Sequence, residues 1–167
     1  MAGWLAKTDP DTYGYPDLER ERSTEWDGVH NPLALRYLRQ MVPGDAVMIY
    51  HSGAERAVVG IGRVASVPHP DPKDERGSWS VRLAAVRRLR TSVPLSALRG
   101  EPSLRGFALL RFSRLSVMPV DADQWRTILS YESRASPASA SSARARRGGR
   151  ARASASPRSD SAARRRR

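Results

Sequence analysis

Few residues in this chain have side chains that do chemistry. There are three histidines, four tryptophans, two lysines and no cysteine. Without cysteine there is no thiolate zinc site, no thiol nucleophile and no disulfide framework. His30, His51 and His69 show no metal-ligand spacing, so no metal is expected. Nucleophilic catalysis at His51 would need a nucleophile and an orienting acid nearby. Ser52 adjoins it, but neighbours on a strand point to opposite faces. His51 is therefore read first as a hydrogen-bonding structural residue, and a small enzyme using His51 is kept as an alternative. The stretch Gly60-Ile61-Gly62-Arg63-Val64-Ala65 matches a dinucleotide fingerprint in letters only. That motif needs a following helix and an acid about 20 residues on. Here the strand runs into a proline-rich turn, and no acid occurs between Arg76 and Gly100. No cofactor is expected, and the glycines mark a strand that another group approaches closely.

The tryptophans divide by context. Trp125 lies on the apolar face of a helical pattern and reads as core. Trp26 lies in a polar, turn-rich stretch between Glu25 and Asp27, a setting suited to stacking on a planar ligand. The basic residues are 27 Arg against Lys7 and Lys73 alone, which singles out each lysine.

The net charge of +12 is unevenly spread. Residues 132–167 hold 11 Arg against Glu132 and Asp160, a net of +9. Of these 36 residues, 30 are Arg, Ser or Ala. Such a segment buries too little to offset its ordering entropy and is expected to be disordered. Its arginines, Arg144, Arg146, Arg147 and Arg150 among them, are expected to bind polyanions by counterion release. The folding unit is then residues 1–131, enough for one core. No run approaches the roughly 18 apolar residues of a membrane span, and Met1 to Lys7 does not read as a secretory signal. The expected location is the cytoplasm, the nucleoid included.

The elements that must position these residues follow from pattern. Gly3 to Lys7 reads as a strand, and Pro16 opens a short helix. Trp26 to Asn31 is irregular. Asn31 is placed to cap a helix from Pro32 to about Met41. Strands are expected at 46–50, 57–67, 79–89 and 115–118, with helical turns at 94–98 and 107–111. Asp121 caps a last helix, with Gln124 as its capping-box partner. The order implies an α+β fold, a small, mostly antiparallel sheet or barrel with helices packed outside.

These segments resemble the EVE domain family. Trp4-Leu5-Ala6-Lys7-Thr8-Asp9-Pro10 is similar to its W-L-x-K-[ST]-E-P start, and Trp26-Asp27-Gly28-Val29-His30-Asn31 to its W-x-G-V-R-N. Gly44-Asp45 with Tyr50-His51-Ser52, Gly60-Ile61-Gly62-Arg63-Val64, and Ser113-Arg114-Leu115-Ser116-Val117 match three further motifs in order, from about Gly3 to Tyr131. The resemblance implies a PUA-like fold, a small barrel with helices, related to the YTH readers of methylated adenine. It implies a binding module without catalysis, whose ligand is a modified nucleobase in DNA or RNA held in an aromatic-lined pocket.

A flipped base needs a stacking platform, polar groups for its edge and cations for the flanking phosphates. Trp26 is the expected platform, with Asn31 on the base edge, although capping competes with that role. Lys7 and Thr8 would supply donors. Tyr50, His51 and Ser52 would close another wall, with Ser113, Leu115 and, as a second ring, Trp79. His30 and Arg114 would face the backbone. His30 stands where the family has Arg, and residues 70–78 form a shorter loop than usual. The expected function is recognition of a modified base, with the tail adding nonspecific affinity. The rivals are the His51 enzyme and a general nucleic-acid-binding scaffold driven by the tail.

Overall fold

A computed structural model describes residues 3–134. The tail expected beyond them, with Arg144, Arg146, Arg147 and Arg150, lies outside the described residues.

Strand β1 (Gly3–Thr8) is inner from the start. Leu5 and Ala6 are fully buried although successive side chains point to opposite faces, so both faces of the strand are covered. Helix α1 (Tyr15–Glu21), with Pro16 in its first turn, leads into β2 (Ser23–Trp26). Helix α2 (Pro32–Leu38) follows. Strands β3 (Ala46–His51), β4 (Ala57–Val64), β5 (His69–Pro70) and the 16-residue β6 (Trp79–Pro94) come next. Helix α3 (Leu95–Arg99), a 3-10 turn (Pro102–Leu104) and α4 (Ala108–Arg111) lead to β7 (Val117–Val120). Helix α5 (Ala122–Arg134) closes the described chain. Its start is the expected capping box. Asp121 Oδ1 accepts from Gln124 N at 2.7 Å, and Gln124 Oε1 from Asp121 N at 3.1 Å.

The fold is α+β, with one mixed seven-stranded sheet in the order β2-β6-β4-β3-β1-β7 and β5 on β6. Only β1 and β3 pair in parallel. The expected barrel is corrected: the ladder does not close, and β2 and β7 remain its edges. Both edge strands have four residues, and β7 carries Pro119, which has no N–H for a further partner. Ser23 and Thr24 of β2 face Lys7 of β1 and Ser116 across a cleft, not a ladder.

β2 takes Trp26 from the stretch expected to be irregular, β5 lies in the expected proline-rich turn, and β7 lies two residues later than the 115–118 pattern. β2 is too short to show a period. It exists because Ser23 to Trp26 pair with Ala84 to Val81 of β6, a contact distant in sequence.

Gly60 explains the rejected fingerprint. A Cβ there would stand 2.4 Å from the Tyr15 ring, which lies against the strand with its hydroxyl donating to Ile61 O at 2.7 Å. The ladder shifts register between Ile61 and Gly62, where β4 takes an irregularity.

Helix α5 is tied to β6 by charge. Arg87 donates to both oxygens of Glu132, at 2.8 and 2.9 Å, and Arg90 N donates to Oε1 at 2.7 Å. These donors, Arg87 foremost, hold the Glu132 carboxyl below the usual glutamate range. The helix runs to Arg134, so Glu132 belongs to the fold.

Candidate functional site

The chain of β1 ends at Lys7 and Thr8, and three clefts open around that end. The first has about 800 Å³ and lies at the open seam of the sheet. Trp26 and Thr24 line it from β2, Lys7 and Thr8 from β1, and Tyr13 from the turn before α1. The second, about 300 Å³, is lined by Lys7, by Tyr50 and Ser52 at the end of β3, and by Ser113. The third, about 290 Å³, holds Asn31, Ser113, Arg114 and Leu115. Lys7 is common to the first two, and Ser113 to the last two. The two residues are joined, Lys7 Nζ donating to Ser113 O at 2.7 Å. Burial lowers the Lys7 ammonium below the usual lysine value.

The expected residues thus meet at one end of the sheet but in different compartments. Trp26 is 7% exposed and ends a strand, so it shows the first cleft a small part of its ring from a fixed position. Thr8 is held by its hydroxyl, which donates to Tyr13 O at 2.6 Å. Asn31 spends Oδ1 on capping α2, accepting from Leu33 N at 2.9 Å and Ala34 N at 3.1 Å. Its Nδ2 keeps two donors for the third cleft. Ser52 Oγ donates to Thr8 O at 3.1 Å, which ties the ends of β1 and β3 together.

Three expected residues lie outside these clefts. His51 is 5% exposed, with both ring nitrogens engaged. Nε2 accepts from Tyr15 N at 2.9 Å, so it carries no proton and Nδ1 donates to Glu55 Oε2 at 2.5 Å. Its ring satisfies the first N–H of α1 and lines none of the three clefts. Trp79 packs against the core with the Arg39 guanidinium over its face, 4.4 Å from the ring centroid. It is not a second wall for Trp26. His30 is exposed, its Nδ1 3.5 Å from Asp74 Oδ2.

Other residues complete the site. Tyr13 lines the first cleft, and its hydroxyl donates to Glu21 Oε2 at 2.8 Å. Burial and the Glu21 carboxylate push its phenol to about 12, so it stays a donor at neutral pH. Glu25, Asp27, Lys73 and Arg82 also line this cleft. Lys73 Nζ holds Asp27 Oδ2 at 3.0 Å, and Arg82 Nε holds Glu25 Oε1 at 2.9 Å. Both lysines of the chain therefore line one cleft, a signal their rarity already carried. The second cleft differs in charge: Arg56, Arg99 and Arg111 line it with Lys7 and no carboxylate. Among the described residues, no three His, Asp or Glu side chains are grouped to hold a metal ion.

A profile of the EVE domain matches residues 2–131. The chain belongs to the EVE domain family. It is similar to human thymocyte nuclear protein 1, 28% identical over 77% of this chain and 73% of that protein. A Rhodopseudomonas palustris protein solved by NMR is 33% identical, with a TM-score of 0.75 over 80% of this chain and 94% of the other. Human THYN1, crystallised in complex with 5-methylcytosine containing DNA, is 25% identical, with a TM-score of 0.71 over 79% and 98%. This EVE domain therefore carries its three clefts on a scaffold shared across distant organisms.

Proposed function

We propose that this EVE domain is a noncatalytic module of the cytoplasm that takes a modified nucleobase into the first cleft. The observation that carries the reading is the cleft at the open seam, lined by β2 and by the end of β1. There a strand-mounted Trp26 faces the polar groups of Lys7, Thr8 and Tyr13. A ring supplies a stacking face for any base, and polar groups of fixed position read its edge. On this reading the PUA-like scaffold functions with its barrel left open, because the opening admits the base. The human relative crystallised with 5-methylcytosine containing DNA makes that base the first to test. The engaged nitrogens of His51 speak against the enzyme alternative.

The part of the 132–167 segment beyond α5 is proposed to add affinity without selectivity through its arginine charge. The test is a binding series of the full chain at about 150 mM salt, which suppresses nonspecific polyanion binding. The probes are DNA and RNA oligonucleotides, each carrying one modified base or its plain counterpart. A preference for one modified base, lost in Trp26→Ala with the fold intact, is the expected result. Equal binding of every modified and plain probe sinks the reading in favour of a tail-driven scaffold.

A further inference from the structure

We propose that the second cleft is a phosphate seat, in which Lys7, Arg56, Arg99 and Arg111 hold a backbone phosphate beside the base in the first cleft. The inference rests on the nucleic-acid part of the reading above and adds the path of the strand.

The charge pattern is the first support. All four cations line the second cleft, and no carboxylate lines it with them. Among the described residues none of the four forms an ion pair, whereas Arg20, Arg82, Arg87, Arg88, Arg126 and Lys73 do. Like charges gathered without a counter-charge repel one another, and an entering phosphate relieves that repulsion.

Tyr50 is the second support. The residue is 3% exposed, yet it lines the cleft, and its hydroxyl has no hydrogen-bond partner among the described residues. Its hydroxyl oxygen is not among the buried unpaired polar atoms, so it reaches the open cleft and offers a donor near Arg56 and Arg99. Burial raises the phenol above its ordinary value, and the nearby Arg56 and Arg99 only partly oppose this. It therefore donates at neutral pH, as an acceptor-only phosphate oxygen requires.

Backbone geometry is the third. Arg56 has a φ of +43°, a region most side chains avoid. Leu95 N, at the start of α3, donates to its carbonyl at 2.8 Å and holds it there. The turn after β3 thus presents an arginine where glycine would be easier. Lys7 lines both clefts, so a phosphate here lies next to whatever occupies the first.

Arg56, Arg99 and Arg111 are all exposed, so their replacement leaves the core intact. The test measures the full chain and its Arg99→Gln/Arg111→Gln double variant against short DNA duplexes across a salt series. Arg126→Gln, on α5, is the reference for losing a charge elsewhere. Each phosphate contact contributes about 0.9 to the slope of log K against log salt. The double variant is expected to lose up to about one unit of slope, the share of one phosphate, and to weaken plain and methylated duplexes alike, while Arg126→Gln loses far less. Arg56→Gly, compatible with the local φ, is expected to lose part of that unit with the melting temperature kept. Duplexes with and without a 5′-phosphate separate an internal phosphodiester from a terminal phosphate. An effect confined to the 5′-phosphorylated probe assigns the terminal group. Unchanged slopes, or a loss matched by Arg126→Gln, overturn the proposal. Lost slope in a protein that never prefers a modified base keeps the phosphate seat and removes the base-reading function.

Discussion

The backbone N–H of Tyr15 donates to Nε2 of His51 at 2.9 Å, and this bond gives the histidine its role. It satisfies the first orphan donor of α1 and fixes the tautomer that directs Nδ1–H to Glu55. His51→Phe keeps the ring volume but removes the acceptor and leaves a buried N–H unpaired. The expected loss is about 1–3 kcal/mol in urea unfolding. Binding measured well below the melting temperature is expected to fall less than tenfold.

Gly60 is defined by the Tyr15 ring beside it. Gly60→Ala puts a methyl into space held by a ring whose hydroxyl is itself bonded to Ile61 O. Overpacking of this kind costs about 1–3 kcal/mol. Tyr15→Leu removes the obstructing ring, so the double variant is expected to be more stable than the sum of the single losses. A thermodynamic cycle from denaturant titrations reads that coupling directly.

The two tryptophans that the sequence offered as a pair are expected to part in experiment. Trp26→Ala removes a stacking surface worth about 1–3 kcal/mol, a loss of about five- to 150-fold for the preferred base. Trp79→Ala breaks the Arg39 stack and some core contact, which lowers the melting temperature but leaves the modified-to-plain affinity ratio unchanged. Titration of both variants with the same pair of probes checks the contrast.

Acid is expected to loosen α5 through Glu132. Its carboxyl titrates below the usual glutamate range in the fold, so ionisation is favoured more there than in the unfolded chain. The resulting stability is complete above the ordinary glutamate value of about 4.3 and is lost as pH falls through the folded value. Glu132→Gln is expected to cost about 1 kcal/mol at pH 7, with half-exposed Arg87 partly screened, and progressively less as pH falls through the folded value. Melting curves across that range check the sign. A chain ending at Tyr131 is expected to show the same loss, and one ending at Arg134 to keep the stability.

Strands β1, β3 and β4 were legible because their apolar runs are bounded by turn formers. The Asn31 and Asp121 caps were legible for a local reason, since capping needs only residues three or four apart. β2 was not, because four residues carry no period and its partner lies some sixty residues on. The cations of the second cleft were hidden among 27 Arg. Nothing local distinguishes Arg56, Arg99 and Arg111 from arginines that pair with acids across the fold.

The sequence by itself determined the α+β class, the family, the uneven charge and the identities of most residues around the end of β1. Local pattern and composition suffice for these, because they depend on neighbours in the chain. Only the tertiary structure decided that the sheet stays open, that His51 braces a helix, that Trp79 turns to Arg39, and that four cations gather without an acid. Each of these depends on which groups meet across long sequence separations. Hydrogen-bond partners, burial and net local charge are properties of that meeting, not of any segment alone.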